Sequence, residues 1–155
     1  MSLKEKVIEI LKEKKCTLTT AESATCGLIG SEIGSVSGAS AAYVGGFITY
    51  NADTKHHLLN IDIELINQYG TVSKEIAEAM VVNACLINNT NCGISVTGIA
   101  GPSPLEGKPV GLFYIGIKVN DKVIVKECFL DQQLTRNEYR TLVVDIAFNE
   151  LIKNL

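Results

Sequence analysis

Apolar residues along this chain follow two rhythms, one with a period near 3.6 and one of short unbroken runs, and their alternation predicts its elements. Leu3, Val7, Ile8 and Leu11 repeat at helical spacing behind Ser2 and Glu5, a pair with capping-box spacing, so a helix opens the chain. Thr17 to Ala21 reads as a short buried strand running into the polar turn 22–27, and a small-residue helix follows to about Ile33. After a Gly- and Ser-rich loop at 34–40, Tyr43 to Tyr50 carries the aromatic and β-branched residues of a strand. Asn51 is placed to cap a helix through Leu59, and another helical piece spans Ile63 to Tyr69.

Ser73 caps the clearest helix, whose inward face is Ile76, Ala77, Met80, Val81, Ala84 and Cys85. Gly93 to Thr97 is another short apolar strand, ending in the tight run Gly98-Ile99-Ala100-Gly101-Pro102. The segment 103–108 has no periodicity. Val110–Val119 and Lys122–Leu130 flank Asn120-Asp121 as an antiparallel hairpin. Thr135 and Glu138 form a second capping box, for a last helix that buries Tyr139, Leu142, Val143, Ile146 and Ala147. Helices on both sides of the strands in chain order favour a three-layer α/β/α sandwich. Its sheet is mixed, mostly parallel and of about five strands, in one domain over residues 1–155.

Composition narrows the function. A chain of 155 residues, 46% hydrophobic and 20% charged, builds a packed core rather than a disordered coil. The net charge of −3, with scattered Lys and Arg, lacks the basic face of a nucleic-acid binder. No run approaches the ~18–20 apolar residues of a membrane span, and the opening helix is polar, not a cleavable apolar segment. A cytoplasmic location is expected. The five cysteines are odd in number and form no C-x-x-C pair, and His56-His57 lack spaced partners. No disulfide framework, metal site or cofactor is therefore expected. Self-association is left open.

Ligands of α/β sheets bind at loops beyond strand ends, which singles out the turns after Glu22 and Gly98 and the segment 40–55. Ser40, Tyr50 and Lys55 supply a nucleophile, a proton relay and a base for hydrolysing an amide or ester without metal. Lys55 falls in the first turn of its helix, where the dipole disfavours a cation and lowers its pKa. A loop serine, a core tyrosine and a solvated lysine fit the same spacing. Gly98 and Gly101 would let backbone N–H groups approach an anion, or simply make a tight turn. Arg136 and Arg140, one turn apart at a helix start, suit a phosphate or solvent. Ser23 and Thr25 offer small donors on the wall of the first turn, or an ordinary cap.

Six ordered blocks then resemble the C-terminal domain family of the competence/damage-inducible protein CinA, the nicotinamide mononucleotide deamidases. Thr19-Thr20-Ala21-Glu22-Ser23-Ala24-Thr25-Cys26-Gly27 resembles T-T-A-E-S-C-T-G-G, and Gly38-Ala39-Ser40-Ala41 resembles G-S-S-A. Gly46 to Lys55 resembles G-[FV]-[VI]-x-Y-[SN]-N-x-x-K, and Gly70-Thr71-Val72-Ser73 resembles G-A-V-S. Val96 to Pro102 and Lys108-Pro109-Val110-Gly111 resemble V-T-G-I-A-G-P and K-P-V-G.

The resemblance implies metal-free hydrolysis of the carboxamide of nicotinamide mononucleotide to nicotinic acid mononucleotide and ammonia. It puts Ser40 at the nucleophile, Lys55 at the base, Tyr50 beside them, and Ser23 and Thr97 in the substrate pocket. The chain departs from the pattern at Ala24, Cys26 and Ala39, and a side chain at Cys26 is expected to narrow the pocket or alter the turn. The stretch F-x-G-D-R is stretched here to Phe129…Arg136, a three-residue insertion, with Arg136 the phosphate ligand. The metal-dependent domain that often precedes this one in the family lies outside these 155 residues. The competing reading is a competence or DNA-damage accessory module that kept the fold without catalysis.

Overall fold

Four helices start on the capping residues that the pattern names. Side chains of Ser2, Asn51, Ser73 and Thr135 accept from the backbone N–H of Glu5, Thr54, Ile76 and Glu138, each satisfying one of the orphan donors of a helix start. The computed structural model describes residues 1–130 and 133–155. Its elements are α1 (Leu3–Glu13), β1 (Leu18–Glu22), α2 (Leu28–Gly34), β2 (Tyr43–Ile48), α3 (Ala52–Leu59), α4 (Ile63–Tyr69) and α5 (Lys74–Asn88). β3 (Cys92–Gly98), β4 (Leu112–Val119), β5 (Lys122–Phe129) and α6 (Arg136–Asn154) complete the chain.

The five strands form one mixed sheet in the order β2-β1-β3-β4-β5. β1 pairs parallel with both β2 and β3, and the β4–β5 hairpin adds two antiparallel pairings, so β4 alone runs against the other four. On one face, Leu18, Ile94, Val96 and Phe113 pack with residues of α1, α2 and α6 such as Val7, Ile29 and Phe148. On the other, Ala21 packs with Leu59, Ile76 and Met80 of α3 and α5, and with Ile66 of α4. The expected three-layer sandwich is the observed one.

The buried face of α6 differs from the expected one. α6 buries Val144, Phe148 and Leu151 beside Tyr139, Val143 and Ala147, while Leu142 and Ile146 are half-buried. Its stripe meets both α1 and the sheet, so it is wider than a single row read at fixed spacing. All five cysteines are free thiols, and no helix among the described residues is long and apolar enough to cross a membrane.

Two consequences of this topology position a site. The C-terminal ends of the parallel strands β2, β1 and β3 share one rim, and β1 lies between a strand that follows it and one reached later from the other side. That is a topological switch point, where sheet-end loops diverge and leave a crevice. On the face of α5 the sheet is lined with small residues, and Ser95 Oγ donates to Ala77 O at 2.6 Å. A Cβ at Gly116 would stand 2.3 Å from Ser95 Oγ and 2.8 Å from Ala77 O, so the helix sits at the distance that glycine allows. Gly116→Ala should therefore lower unfolding free energy by about 1–3 kcal/mol, the usual cost of overpacking. Urea denaturation with an unchanged m-value checks this.

Candidate active site

At the end of β1, Glu22 is buried, and its carboxylate accepts from the N–H of Ile29 at 2.8 Å and of Gly30 at 3.0 Å. α2 has only Gly27 at its N-cap, so the strand supplies the cap that the turn lacks. Strand and helix are thereby tied together across the turn that carries Ser23. Ser23 N–H donates to Val96 O at 2.9 Å, which holds that turn against β3.

The side chain of Lys55 reaches the same point from α3. It is wholly buried, and its Nζ lies 3.1 Å from Ser23 Oγ and 2.7 Å from Thr49 O. Neither contact carries a negative charge. Burial pushes the Lys55 ammonium down to about 8, against a smaller upward pull from the Glu106 carboxylate. The expected depression is present, and its main cause is desolvation. About a tenth of such lysines are neutral at pH 7, against fewer than about one in a thousand for a free one. A neutral Nζ can accept the Ser23 proton while still donating to Thr49 O. A hydroxyl in hydrogen-bond contact with an amine is the arrangement that nucleophilic catalysis requires.

Ser23 opens into a cavity of about 330 Å³ between the ends of β1 and β3, a volume in the range of small-ligand sites. Thr97 lines it, and its hydroxyl donates to Thr71 O at 2.7 Å, leaving its lone pairs free to accept a proton from a ligand. The outer wall is the loop 102–105, strapped down just beyond by Glu106. That carboxylate accepts from the N–H groups of Thr71 and Val72 at 2.8 and 3.0 Å and from the Thr71 hydroxyl at 2.9 Å. Burial pushes the Glu106 carboxyl up, but these donors and Lys108 outweigh it and hold it below the ordinary range. Across the mouth, the Arg136 guanidinium donates to Gly101 O and to the Tyr50 hydroxyl.

Several expectations meet this geometry differently. Ser40 is not in the site. It lies exposed in a one-turn 3-10 helix, Ala39–Ala41, before β2, whereas Tyr50 and Lys55 follow that strand. Five steps of β2 at ~3.3 Å put about 17 Å between its ends, so no Ser40–Lys55 pair forms. Tyr50 is 55% exposed, not a core residue, and bonds Arg136 instead of Lys55.

Thr25 is fully buried behind the turn, off the cavity wall. Cys26 is exposed at φ +47°, the left-handed region that favours glycine, and does not line the cavity; the pocket is not narrowed there. Gly98 and Gly101 do line it. Packing explains both, since a Cβ at Gly98 would stand 2.1 Å from Phe113 and one at Gly101 2.7 Å from Val110. Ile99 N–H is spent on Leu112 O, while the Ala100 and Gly101 N–H groups meet no acceptor among the described residues. Arg136 lines the cavity, while the inferred insertion before it includes residues 131 and 132, outside the described residues. Arg140, paired with Arg136 in the sequence as a phosphate or solvent residue, instead turns inward to the Ala24 and Thr25 carbonyls, and Glu106 carried no signal specific enough to be read from sequence. No cluster of His, Cys, Asp and Glu able to hold a metal occurs among the described residues.

The model of the CinA C-terminal domain family matches residues 1–155. The chain belongs to that family. A competence-damage inducible protein of Alkaliphilus oremlandii is 41% identical over 97% of this CinA-family chain, and one from Lactiplantibacillus plantarum is 45% identical over 79%. The chain spans 36% and 29% of the lengths of those two relatives. The crystal structure of the competence/damage inducible protein CihA from Agrobacterium tumefaciens superposes with a TM-score of 0.92 at 33% identity, covering 97% of this chain and 92% of that one. A CinA superfamily protein from Escherichia coli has the same fold, with a TM-score of 0.95 at 24% identity over 99% of this chain and 88% of its own.

Burial of Lys55 has a measurable cost. Its folded pKa, about 8, lies below the unfolded 10.5, so the penalty is fully present below pH 8 and disappears as pH rises to 10.5. At ~1.4 kcal/mol per pH unit it amounts to about 3 kcal/mol. Lys55→Met should be more stable than the parent at pH 7, with the difference closing towards pH 10.5. Paired denaturant titrations across that range test this.

Proposed function

We propose that this chain is a metal-independent amidohydrolase with Ser23 as nucleophile and Lys55 as general base, acting on the carboxamide of nicotinamide mononucleotide. The observation that carries the reading is the buried contact of 3.1 Å between Lys55 Nζ and Ser23 Oγ, with no carboxylate among the described residues bonded to the lysine. The substrate comes from the family resemblance. Arg136 at the mouth suits its phosphate, and the Thr97 oxygen suits a carboxamide N–H.

In the first half-reaction Ser23 Oγ attacks the carboxamide carbon as its proton passes to Lys55 Nζ. The carbonyl π pair moves onto oxygen. When that pair returns, the C–N bond breaks and the Lys55 ammonium protonates the departing nitrogen, releasing ammonia. Water then attacks the acyl-Ser23 ester, giving its proton to Lys55, and the returning proton frees the Ser23 hydroxyl with the carboxylic acid product. Thr49 O holds Nζ at the right height throughout. Tyr50, bonded to Arg136, orders the mouth.

The competing accessory-module reading leans on the turn residues that depart from the family pattern, Ala24 and Cys26. Cys26 is exposed and does not line the cavity, whereas Ala24 does, so only Ala24 bears on substrate fit.

The test is ammonia release from nicotinamide mononucleotide, with its riboside as control. Ser23→Ala should lose essentially all turnover, and Ser40→Ala should keep it; the reverse outcome would return the nucleophile to Ser40. The kcat/KM of the parent should rise with pH through about 8, as Lys55 becomes neutral. Lys55→Arg should lose ~10²–10⁴-fold, since a guanidinium stays protonated. The riboside should be the poorer substrate, and chelators should leave the rate intact. Equal turnover of nucleotide and riboside would remove the phosphate argument.

A further inference from the structure

Attack on an amide puts negative charge on the carbonyl oxygen, and a hydrolase needs oriented donors at that oxygen. The N–H following a serine nucleophile is a common source of one. Here the two peptide N–H groups after Ser23 are those of Ala24 and Thr25, and among the described residues neither is bonded to a protein acceptor. What orients them comes from α6. Arg140 Nε donates to Ala24 O at 3.1 Å, and Arg140 Nη2 donates to Thr25 O at 2.9 Å. Its third bond, Nη1 to Asn137 Oδ1 at 2.9 Å, anchors the guanidinium on its own helix.

Each carbonyl shares a rigid peptide unit with the next N–H. Gripping Ala24 O therefore fixes and polarises the Thr25 N–H. Gripping Thr25 O does the same for the Cys26 N–H, which donates at 3.0 Å to Ser23 O. Ser23 O belongs to the peptide that carries the Ala24 N–H. Both arms of the guanidinium thus end, through one or two peptide units, on the two N–H groups beside the nucleophile. Hydrogen bonds linked in series strengthen one another, and a cation at the carbonyl end pulls electron density from the terminal N–H.

We infer that Arg140 is a positioning residue for this turn, orienting and polarising the Ala24 and Thr25 N–H groups as the donors that meet the oxygen of an attacked amide. The inference rests on the proposed Ser23 hydrolysis. It separates two arginines that look equivalent in sequence: Arg136 faces the cavity, and Arg140 acts from behind the turn without touching a ligand.

The test compares the parent with Arg140→Ala and Arg140→Lys, using kcat and KM on nicotinamide mononucleotide and its thioamide analogue. A second measurement, the rate at which a fluorophosphonate labels Ser23 by intact mass, does not depend on the natural substrate. Arg140→Ala should lose ~10²–10³-fold in kcat with little change in KM, the size of a lost oxyanion donor. Millimolar guanidinium should restore part of the rate, and Arg140→Lys should fall between. The thioamide, whose sulfur is a poor acceptor, should show a much smaller loss. An active parent whose Arg140→Ala variant stays within about threefold in kcat and labelling would overturn the inference and leave the hydrolase reading intact. Equal losses on amide and thioamide with no rescue would also overturn it, assigning Arg140 to fold maintenance alone. If Arg140→Ala does not fold, Arg140→Lys carries the same comparison. A parent labelled at Ser23 but inactive on the nucleotide would refute the substrate, with Arg140 still judged by labelling rates. No labelling at Ser23 and no turnover would refute the hydrolase reading and the inference together.

Discussion

Lys55 is held with its ammonium nitrogen wholly out of water, between a serine hydroxyl and a backbone carbonyl, and the geometry at this end of the sheet is organised around that placement. A buried lysine without a carboxylate partner opposes folding at neutral pH, so its surroundings must compensate. Thr49 O accepts one of its protons, and the Asn51 cap fixes the start of the helix that carries it. Leu59, from the same helix, is fully buried in the core between the sheet and α5. The lysine is thus pinned by the packing of α3, and its position is as rigid as that core.

The opposing half is equally constrained, by different means. The Ser23 turn connects a five-residue strand to a seven-residue helix, and it includes left-handed backbone at Cys26 and Gly27. Such a turn has little local reason to adopt one shape. Three long-range polar links determine it: Glu22 to the start of α2, Ser23 N–H to β3, and Arg140 of α6 to the Ala24 and Thr25 carbonyls. A charged group, buried or half-buried, is spent on backbone at each end of the turn. Glu106 does the same for the 70–72 segment on the far wall. The cavity is therefore a set of loops braced by carboxylate and guanidinium groups, on a sheet whose own packing is apolar.

The topology supplies the crevice before any side chain is chosen. Strands β2, β1 and β3 run the same way, so their end loops share one rim, and β1 lies where the chain switches sides. The hairpin β4–β5 extends the sheet away from this rim. Its contributions are Phe113, which requires glycine at position 98, and the fit of α5 over Gly116.

Local pattern was enough for the elements, because helix caps and apolar periodicity are decided by residues three or four apart. Ser2, Asn51, Ser73 and Thr135 were readable as caps for that reason, and the inward face of α5 was readable to the residue. The six motif blocks identified the family, and Lys55, Tyr50, Ser23, Thr97 and Arg136 all lie at or around one cavity. Sequence alone did not say which serine meets the lysine. Ser40 looked nearer, yet the strand predicted between it and Lys55 already separates them, and a strand is rigid and extended. Ser23 is 32 residues from Lys55 and reaches it only because β1 and β2 pair in parallel register, Glu22 opposite Ile48. The grip of Arg140 on a turn 115 residues away was beyond any local signal for the same reason. Short-range propensity determines elements and caps; pairing register and burial, which join distant residues, decided the chemistry of the site.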